Sequence, residues 1–441
     1  MVVQHNMQAM NSNRMLGVTT SAQGKSTEKL SSGYRINRAA DDAAGLAISE
    51  KMRKQINGLD RASTNAQDGV SSVQTAEGAM NEVHAMIQRM NELAVQAANG
   101  TNSDSDRQAI QNEITQLTTE IDRVAETTKF NETFLLKGDP SGAKKDIRLI
   151  GHDAGLAGKM TPSATTQGVY TFEVNELHTN DTVNIGGVQY TIVATGNEDY
   201  KNKKIAADEA YTLMNVELYK ANSIGIAQFS GTLKEPIEQA SDISGNLTAI
   251  STATDYTRLD NNTTVVAADP TQAPQEGEIP TVTQDGTNKR LFTITTGSVK
   301  TAKELSFNLH VGADAALSNK IVVDIETFNS TYLGINKLDV VGKAGDNGIT
   351  ATYAIDAIAD ALQKVSDQRS LLGAIQNRLE HSIANLDNVV ENTTAAESRI
   401  RDTDMAEEMV QYSKNNILAQ AGQSMLAQAN QSTQGVMSLL Q

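Results

Sequence analysis

The adjacent carboxylates of Asp41 and Asp42 are the first side chains of this sequence whose types and spacing could support chemistry. A pair of neighbouring carboxylates can serve as general acid and base. The same pair directly precedes a long stretch with helical periodicity, where carboxylates cap the helix and favour its positive end. Capping explains both residues with fewer assumptions, so we interpret Asp41 and Asp42 as helix-capping residues.

The six histidines do not form a metal-binding pattern. They stand at positions 5, 84, 152, 178, 310 and 381, and none has the HxxxH or HExxH spacing of a zinc site. The chain contains no Cys, which excludes disulfides and zinc-cysteine sites. We therefore expect no enzymatic activity, no cofactor and no metal centre.

Residues 37–100 are predicted to form one long α-helix. The segment would be about 80–90 Å long at the usual rise of 1.5 Å per residue, so it needs partner helices along its length. Asn99 and Gly100 are expected to end it in the left-handed conformation. Apolar residues recur every three or four positions, at Ile48, Met52, Ile56, Leu59, Val70, Val73, Met80, Val83, Ile87 and Met90.

Further helical patterns at both ends of the chain can supply those partners. After a short loop, Ser103 and Asp104 are predicted to cap a helix that runs antiparallel to the first one. The long apolar stripes of the two end arms can pair with each other, and we expect the arms to be completed only when neighbouring molecules cover them. The patterns and their apolar positions are 1–34 (Met7, Met10, Leu16, Leu30), 103–124 (Ile110, Ile114, Leu117, Ile121, Val124), 353–400 (from Ile355 to Ile400) and 405–441 (Met409, Tyr412, Leu418, Met425, Val436, Leu439).

The middle of the chain has a different character. All six Pro residues lie between positions 140 and 280, and proline breaks helix interiors. Strand-like alternation is found at 170–174, 183–193, 290–295 and from 305 to 325, and a hairpin is predicted at 130–136. A helix is predicted at 206–220, and a long polar surface loop at 255–286. We expect the helices not to depend on this insert.

Composition excludes several classes of protein. The net charge of −16 argues against nucleic-acid binding, which needs a basic surface. No run of 18 apolar residues is present, so no membrane span is predicted. We predict mainly α terminal arms that form a long helical bundle or coiled coil, with an inserted β-rich variable middle region. The fold class is α+β, multi-domain and elongated.

Several long segments closely resemble the bacterial flagellins. The resemblance covers nearly all of 1–140 and about 303–441, whereas 141–302 resembles no family that we can name. The segments are HNMQAMNSNRML (5–16), KLSSGYRINRAADDAAGLAISEKMR (29–53), QRMNELAVQAANGTNSDSDRQAIQNEI (88–114), EIDRVAETTKFNETFLL (120–136), LHVGADA (309–315), LLGAIQNRLEHSIANLDNVVENTTAAESRIRDTDMAEEM (371–409) and ILAQAGQSMLAQANQ (417–431).

This resemblance implies a structural subunit that polymerises into the bacterial flagellar filament. Residues 1–40 and 403–441 would form an inner filament-core domain, 41–140 and 303–402 a helical packing domain, and 141–302 a variable surface-exposed insert. The implied partners are other copies of the chain, an export chaperone, and the filament cap and hook–filament junction proteins. The expected location is the extracellular filament, reached without a cleaved signal peptide, since residues 1–20 lack the pattern of one. We assign self-assembly to Met7, Met10, Leu16, Leu30, Leu418, Met425, Val436 and Leu439.

The resemblance also implies recognition by the host innate immune receptor Toll-like receptor 5. The residues that match the family's contact positions are Gln88, Arg89, Leu93, Gln96, Glu113 and Ile358. On a helix, Arg89, Leu93 and Gln96 share one face, and we expect Leu93 to be a solvent-facing anchor. From the residues alone, Arg89 and Glu113 also fit a solvated helix face with an interhelical ion pair.

Two other functions remain open from the sequence. A hook–filament junction protein shares the flagellin ends, but usually matches LAVQAANG (93–100) and LAQANQ (426–431) less fully. A surface adhesin on a coiled-coil stalk would not need both termini to mirror each other. Polymerisation of the purified protein onto filament seeds would distinguish a flagellin from both.

Overall fold

The computed structural model describes residues 6–164, 166–224, 227–229, 233–234, 237–251, 256–258, 266–268, 278–336, 338–342 and 348–438. In these residues the predicted combination of terminal helices and a β-containing middle region is confirmed. The chain divides into two compact units. Unit 1 comprises Met1–Asp68, Leu309–Ile321 and Leu379–Gln441, and unit 2 comprises Gly69–Asn308 and Val322–Arg378. The predicted domain boundaries stay a prediction.

The helices account for most of both ends of the chain. The described residues contain α1 (Met7–Ser32), α2 (Ala43–Ala97), α3 (Asp104–Thr127), α4 (Ala207–Ser223), α5 (Ala240–Ser251), α6 (Ser330–Leu333), α7 (Ile349–Arg401) and α8 (Met405–Ser438). Short 3-10 helices occur at Tyr200–Asn202 and Leu317–Asn319. All five helices predicted for the two ends of the chain are therefore present, with α7 beginning four residues before the predicted start.

The start of α2 is determined by the two adjacent carboxylates. The Asp42 side chain accepts a hydrogen bond from the Gly45 backbone N–H at 2.9 Å, which confirms its capping role. Asp41 instead accepts from the backbone N–H of Arg38 at 2.9 Å and of Asn37 at 3.2 Å, which closes a turn before the helix. The hydrogen bond from Arg38 lowers the pKa of Asp41. Because residues 37–42 are held in this turn, α2 begins at Ala43 and not at Asn37.

The end of α2 differs from the prediction. Neither Asn99 nor Gly100 has a positive φ, so the left-handed cap expected there is wrong. Side chains satisfy the last carbonyls instead, since Arg107 Nε donates to the Ala97 carbonyl at 3.1 Å and Asn102 Nδ2 donates to the Gln96 carbonyl.

The predicted cap of α3 is confirmed. The Ser103 hydroxyl accepts from the Asp106 backbone N–H at 3.3 Å. The Asp106 carboxylate accepts from the Ser103 backbone N–H at 3.1 Å, which completes a capping box.

We predict that Arg107→Met destabilises unit 2. Arg107 is 3% exposed, and its removal leaves the Ala97 carbonyl buried without its donor. The expected loss is about 1–3 kcal/mol of unfolding free energy. Urea unfolding followed by circular dichroism measures it, with Arg123→Met as control, because Arg123 is exposed and pairs with Glu120 on the surface of α3. Equal unfolding midpoints for the two variants would contradict the capping role of Arg107.

The strands of the described residues form small sheets. They are β1 (Lys129–Phe130), β2 (Thr133–Phe134), β3 (Lys144–Arg148), β4 (Gly158–Pro162), β5 (Val169–Val174), β6 (Thr182–Ile185), β7 (Val188–Val193), β8 (Lys204–Ala206), β9 (Ala227–Phe229), β10 (Tyr256–Arg258), β11 (Val266–Ala267), β12 (Glu278–Ile279), β13 (Thr281–Gln284), β14 (Leu291–Thr295), β15 (Ser298–Ala302), β16 (Leu305–His310) and β17 (Lys320–Ile325). The orders are β13-β14-β5-β4, β6-β7-β8, and the pairs β1-β2, β3-β15, β9-β10, β11-β12 and β16-β17.

Most strand predictions are confirmed. The predicted hairpin is β1-β2, turned by Asn131 and Glu132 at φ 45° and 68°. Gly186 and Gly187, at φ 56° and 75°, form the turn between β6 and β7. The long surface loop predicted for 255–286 is wrong in part, because β10 to β13 lie within it. Residues 259–265 and 269–277 of that loop lie outside the described residues.

The core of unit 2 lies between the four-stranded sheet and α4. Phe172 and Phe292 are fully buried partners on neighbouring strands β5 and β14. The N-terminal part of α7 joins this unit, since the buried Tyr353 hydroxyl donates to Glu217 of α4 at 2.5 Å. The expectation that the helices do not depend on the insert stays a prediction, and this contact is one that removal of the insert would break.

Helices α2, α3 and α7 also pack together within unit 2. Ala97 contacts Arg107 and Arg89 contacts Glu113, so α2 and α3 run antiparallel as predicted. Gly348, at φ +87°, lies so close to α2 that an added Cβ would be 2.5 Å from the Ala98 carbonyl oxygen. In this unit the predicted apolar stripe of α2 is fully buried at Val73, Met80, Val83, Ile87 and Met90, and it is half-buried at Val70.

Candidate functional site

The terminal helices α1 and α8 form an antiparallel pair in unit 1. Asn6, the N-cap of α1, donates to the Ala429 carbonyl at 3.2 Å, and Lys29 near its other end lies 3.6 Å from Glu408. Gly33, at φ 75°, ends α1 and allows the chain to turn. Each end arm therefore forms a helix, and the pairing of the two arms expected from their apolar stripes is present.

The residues that follow α1 are joined to those that precede α8 by backbone hydrogen bonds. The Arg35 N–H donates to the Arg401 carbonyl at 2.7 Å, and the Thr403 N–H donates to the Gly33 carbonyl at 3.0 Å. The Arg401 guanidinium lies 4.9 Å from the centre of the Tyr34 ring. These contacts hold the end of α1 next to the start of α8, and they therefore set the register in which the two helices pair.

Small residues occupy the seam between α1 and α8. Ser26, Ala419 and Ala429 are buried, and Leu16 lies beside Gly422. Small side chains allow the two helices to approach closely but remove little apolar surface from water. The pair therefore buries little of its own large hydrophobic surface.

The other faces of α1 and α8 expose large hydrophobic side chains. Such a concentration on a soluble protein marks an interaction surface. We call these residues the open faces; they are Met7, Met10, Met15, Val18, Met405, Met409, Val410, Ile417, Leu418 and Met425, each between 47% and 71% exposed.

The structure places the predicted assembly residues in two groups. Met7, Met10, Leu418 and Met425 lie on the open faces. Leu16 and Leu30 are half-buried, and Leu16 contacts the seam. The Val436 side chain and Leu439 lie outside the described residues.

Six residues of the open faces are not among the assembly residues predicted from the sequence, namely Met15, Val18, Met405, Met409, Val410 and Ile417. These residues could have been found in the sequence, because apolar residues on more than one face of a helical arm indicate that the arm has more than one partner.

The second candidate surface is centred on Arg89 in unit 2. Arg89 Nε donates to Glu113 at 3.0 Å, and Arg89 Nη1 donates to Glu92 at 3.0 Å. These bonds, led by the one to Glu92, raise the pKa of Arg89. The side chains of Arg89, Glu92 and Glu113 are about half exposed or more, at 51%, 68% and 46%. The interhelical ion pair expected as the alternative reading is therefore present on an accessible face.

Four of the six predicted receptor-contact residues are exposed, namely Gln88, Arg89, Gln96 and Glu113. Leu93 is only 2% exposed, so the expectation that it faces solvent is wrong. It is buried because the apolar stripe of α2 is wide enough to contact two helices, and Leu93 and Ala94 both belong to it. Ile358 is fully buried on α7 and offers no surface in the single chain.

The described residues contain no group of three His, Cys, Asp or Glu side chains placed to hold a metal ion. A small, partly open cavity beside His152, Asp360 and Lys364 measures about 10 Å³. Such a volume admits about one water molecule, too little for an organic cofactor. In the part of the chain that the structure describes, no helix has both the length and the apolar character needed to cross a membrane.

Comparison with known proteins gives matches at both ends and over the full length. The family described as the bacterial flagellin N-terminal helical region matches residues 3–140, and the C-terminal helical region matches 355–440. A flagellin of Clostridium tyrobutyricum is 41% identical over 98% of this chain and 100% of its own. The flagellin of Bacillus subtilis is 36% identical over 100% of both chains. The solved structure of FliC from Burkholderia pseudomallei covers 70% of this chain and 99% of its own, with 19% identity and a TM-score of 0.27.

These matches include the segments that form both terminal helices, the α2–α3 pair and most of α7. The alignments with these relatives extend through the middle region as well. The chain therefore belongs to the bacterial flagellin family and is a structural subunit of the flagellar filament.

Proposed function

We propose that this flagellin polymerises by packing the open faces of α1 and α8 against neighbouring copies. The observation that carries the proposal is the exposure of ten large hydrophobic side chains on a helix pair whose own seam is made of small residues. Complete burial of one such side chain contributes about 1.5–3 kcal/mol. Contacts between different faces of successive copies need not close on themselves, and they then produce a helical filament.

The proposal extends to the organisation and location of the subunit. Residues 1–40 and 403–441 would form the inner core, 41–140 and 303–402 the packing domain, and 141–302 the outward-facing variable insert. The filament is extracellular, and the chain reaches it through the flagellar export apparatus. An export chaperone, the filament cap and the hook–filament junction proteins are the further proposed partners.

Deletion of residues 1–35 or of 410–441 tests this function. Each deletion removes four of the ten open-face residues, so we expect a soluble monomer that retains the remaining helices but does not grow on filament seeds. Electron microscopy and sedimentation measure growth, and circular dichroism measures helix content. Filament growth by either truncated chain at the full-length rate would contradict the proposal.

The same assay separates the alternatives. A hook–filament junction protein or a coiled-coil adhesin would remain monomeric as the full chain under conditions where a flagellin extends seeds. Persistent monomer from the intact chain would therefore favour one of those two functions.

We also propose that the exposed surface around Arg89 is a contact for Toll-like receptor 5. It presents a guanidinium together with Gln88, Gln96 and Glu113 on the accessible sides of α2 and α3. Arg is frequent among interface residues of large effect because its planar group forms several directed hydrogen bonds. Leu93 and Ile358, which are buried, would then support this surface from beneath.

A further inference from the structure

A cluster of half-buried ionisable side chains lies in unit 2, between the loop that follows β3 and helix α7. His152 Nε2 is 3.4 Å from Asp360 Oδ2, and the two side chains are only 12% and 25% exposed. His152 belongs to the insert and Asp360 to α7. The contact thus joins the variable region to a helix of the family-matched end.

The position of His152 is fixed by helix α4 of the insert. Asn222 is 4% exposed, and its side-chain oxygen accepts from the His152 backbone N–H at 2.8 Å. Its amide nitrogen donates to the His152 carbonyl, also at 2.8 Å, and to the Leu218 carbonyl at 2.8 Å. Because one buried side chain holds both backbone groups of His152, the imidazole has little freedom to leave Asp360.

Charged and titratable groups approach the pair from every neighbouring element. Asp153 follows His152 in its loop, and Tyr170 lies on β5. Asp356 and Lys364 lie one turn before and one turn after Asp360 on α7. Lys364 Nζ donates to the carbonyl of Tyr332 at 2.9 Å and lies 5.3 Å from the centre of its ring. The adjoining cavity of about 10 Å³ leaves little room for water to solvate these groups.

Burial shifts the pKa values of His152 and Asp360 in opposite directions. It lowers the pKa of His152 to about 4, and it raises the pKa of Asp360 to about 7. Burial also raises the pKa of Asp356 and lowers that of Lys364 to about 8. At pH between about 4 and 6.5 the folded chain holds a neutral His152 and a protonated Asp360, whereas the unfolded chain has a charged imidazole and a carboxylate.

These shifts have opposite effects on stability as the pH falls. The folded state disfavours protonation of His152, so this group reduces stability as the pH falls from 6.5 towards 4. The folded state favours protonation of Asp360, so this group increases stability as the pH falls from about 7 towards 3.8. The two effects cover nearly the same interval and offset each other.

We propose that the contact between His152 and Asp360 persists when the carboxyl group takes up a proton. It thereby keeps the insert docked on α7 as the solution becomes mildly acidic. At higher pH the neutral imidazole can donate its Nε2–H to the carboxylate. After the carboxyl group takes up a proton, the other imidazole tautomer can accept that proton in a hydrogen bond. The contact is thus available whether the Asp360 carboxyl group is ionised or protonated.

Variants of the full-length chain test the proposal by the sign of their response to pH. Asp360→Asn removes the gain in stability that protonation of Asp360 gives as the pH falls. Between pH 7.5 and pH 5 we therefore expect the melting temperature of this variant to fall by at least about 3 °C more than that of the wild type. His152→Gln keeps the backbone contacts to Asn222 and removes the opposing response, so its melting temperature should rise over the same interval relative to the wild type. Asp367→Asn, an exposed carboxylate on the same helix, serves as control and should follow the wild type.

The proposal is overturned if Asp360→Asn and His152→Gln both keep the wild-type dependence on pH. A second measurement on the unmodified chain covers the case in which a variant does not fold. With histidine labelled at Cε1, the resonance of His152 should not move to the chemical shift of an imidazolium between pH 7.5 and 5. The variant His84→Gln identifies the resonance of His84, whose Nδ1 is also buried. Titration of all six histidines near pH 6.5 would equally overturn the proposal.

Discussion

The double substitution Val410→Glu and Ile417→Glu is expected to abolish seeded filament growth while the monomer remains folded. The two positions are seven residues apart on α8 and share one face. They are 69% and 66% exposed, so the charges are fully solvated in the single chain. In a filament that covers this face, each carboxylate would be buried without a partner, which costs several kcal/mol.

The seam with α1 should not be affected by these changes. Ala419, which is buried in the seam, lies nine residues from Val410, about two and a half turns, and therefore on the opposite side of α8. Circular dichroism of the variant monomer should accordingly match that of the wild type. The double substitution Gln411→Glu and Gln420→Glu adds the same charge at exposed polar positions of α8 and serves as control.

The rate of seeded growth, measured by electron microscopy and sedimentation, decides this prediction. Growth of the Val410→Glu and Ile417→Glu variant at the rate of the control would remove this face of α8 from the proposed interface. A loss of helix content in the monomer would instead indicate that the two residues support the fold.

Arg89→Ala is expected to weaken binding to the Toll-like receptor 5 ectodomain by more than tenfold, about 1.4 kcal/mol or more. The substitution removes the cation from an exposed surface and leaves Glu92 and Glu113 without the guanidinium that both contact. Because the three side chains are largely solvated, the fold should not be affected. A direct binding titration measures the change.

Two further variants make the receptor result specific. Arg123→Ala removes an equally exposed arginine that pairs with Glu120 on α3, and it should leave the affinity unchanged. Leu93→Ala creates a cavity in the core and should cost about 2–5 kcal/mol of stability, so any loss of binding by this variant has a structural cause. Equal affinities of the Arg89→Ala variant and the wild type would exclude Arg89 from the contact.

Local signals in the sequence predicted the helices and most strands well. The capping box at Ser103, the cap at Asp42, the Gly186–Gly187 turn and the hairpin near Phe130 depend on residues close together in the chain. Their hydrogen bonds form within a few residues, so residue type and spacing are sufficient to predict them. The bonds by which Asp41 closes a separate turn are equally local, but the choice between that turn and an earlier start of α2 was not evident.

By itself, the sequence determined the family, the helical ends, the β-containing middle region and the presence of apolar residues in both end arms. Only the tertiary structure decided which apolar residues are exposed, that Leu93 and Ile358 are buried, that Arg107 closes the end of α2, and that His152 meets Asp360. The physical reason is that these properties depend on residues far apart in the chain. One helical stripe can contact one neighbour or two, and its periodicity is the same in both cases.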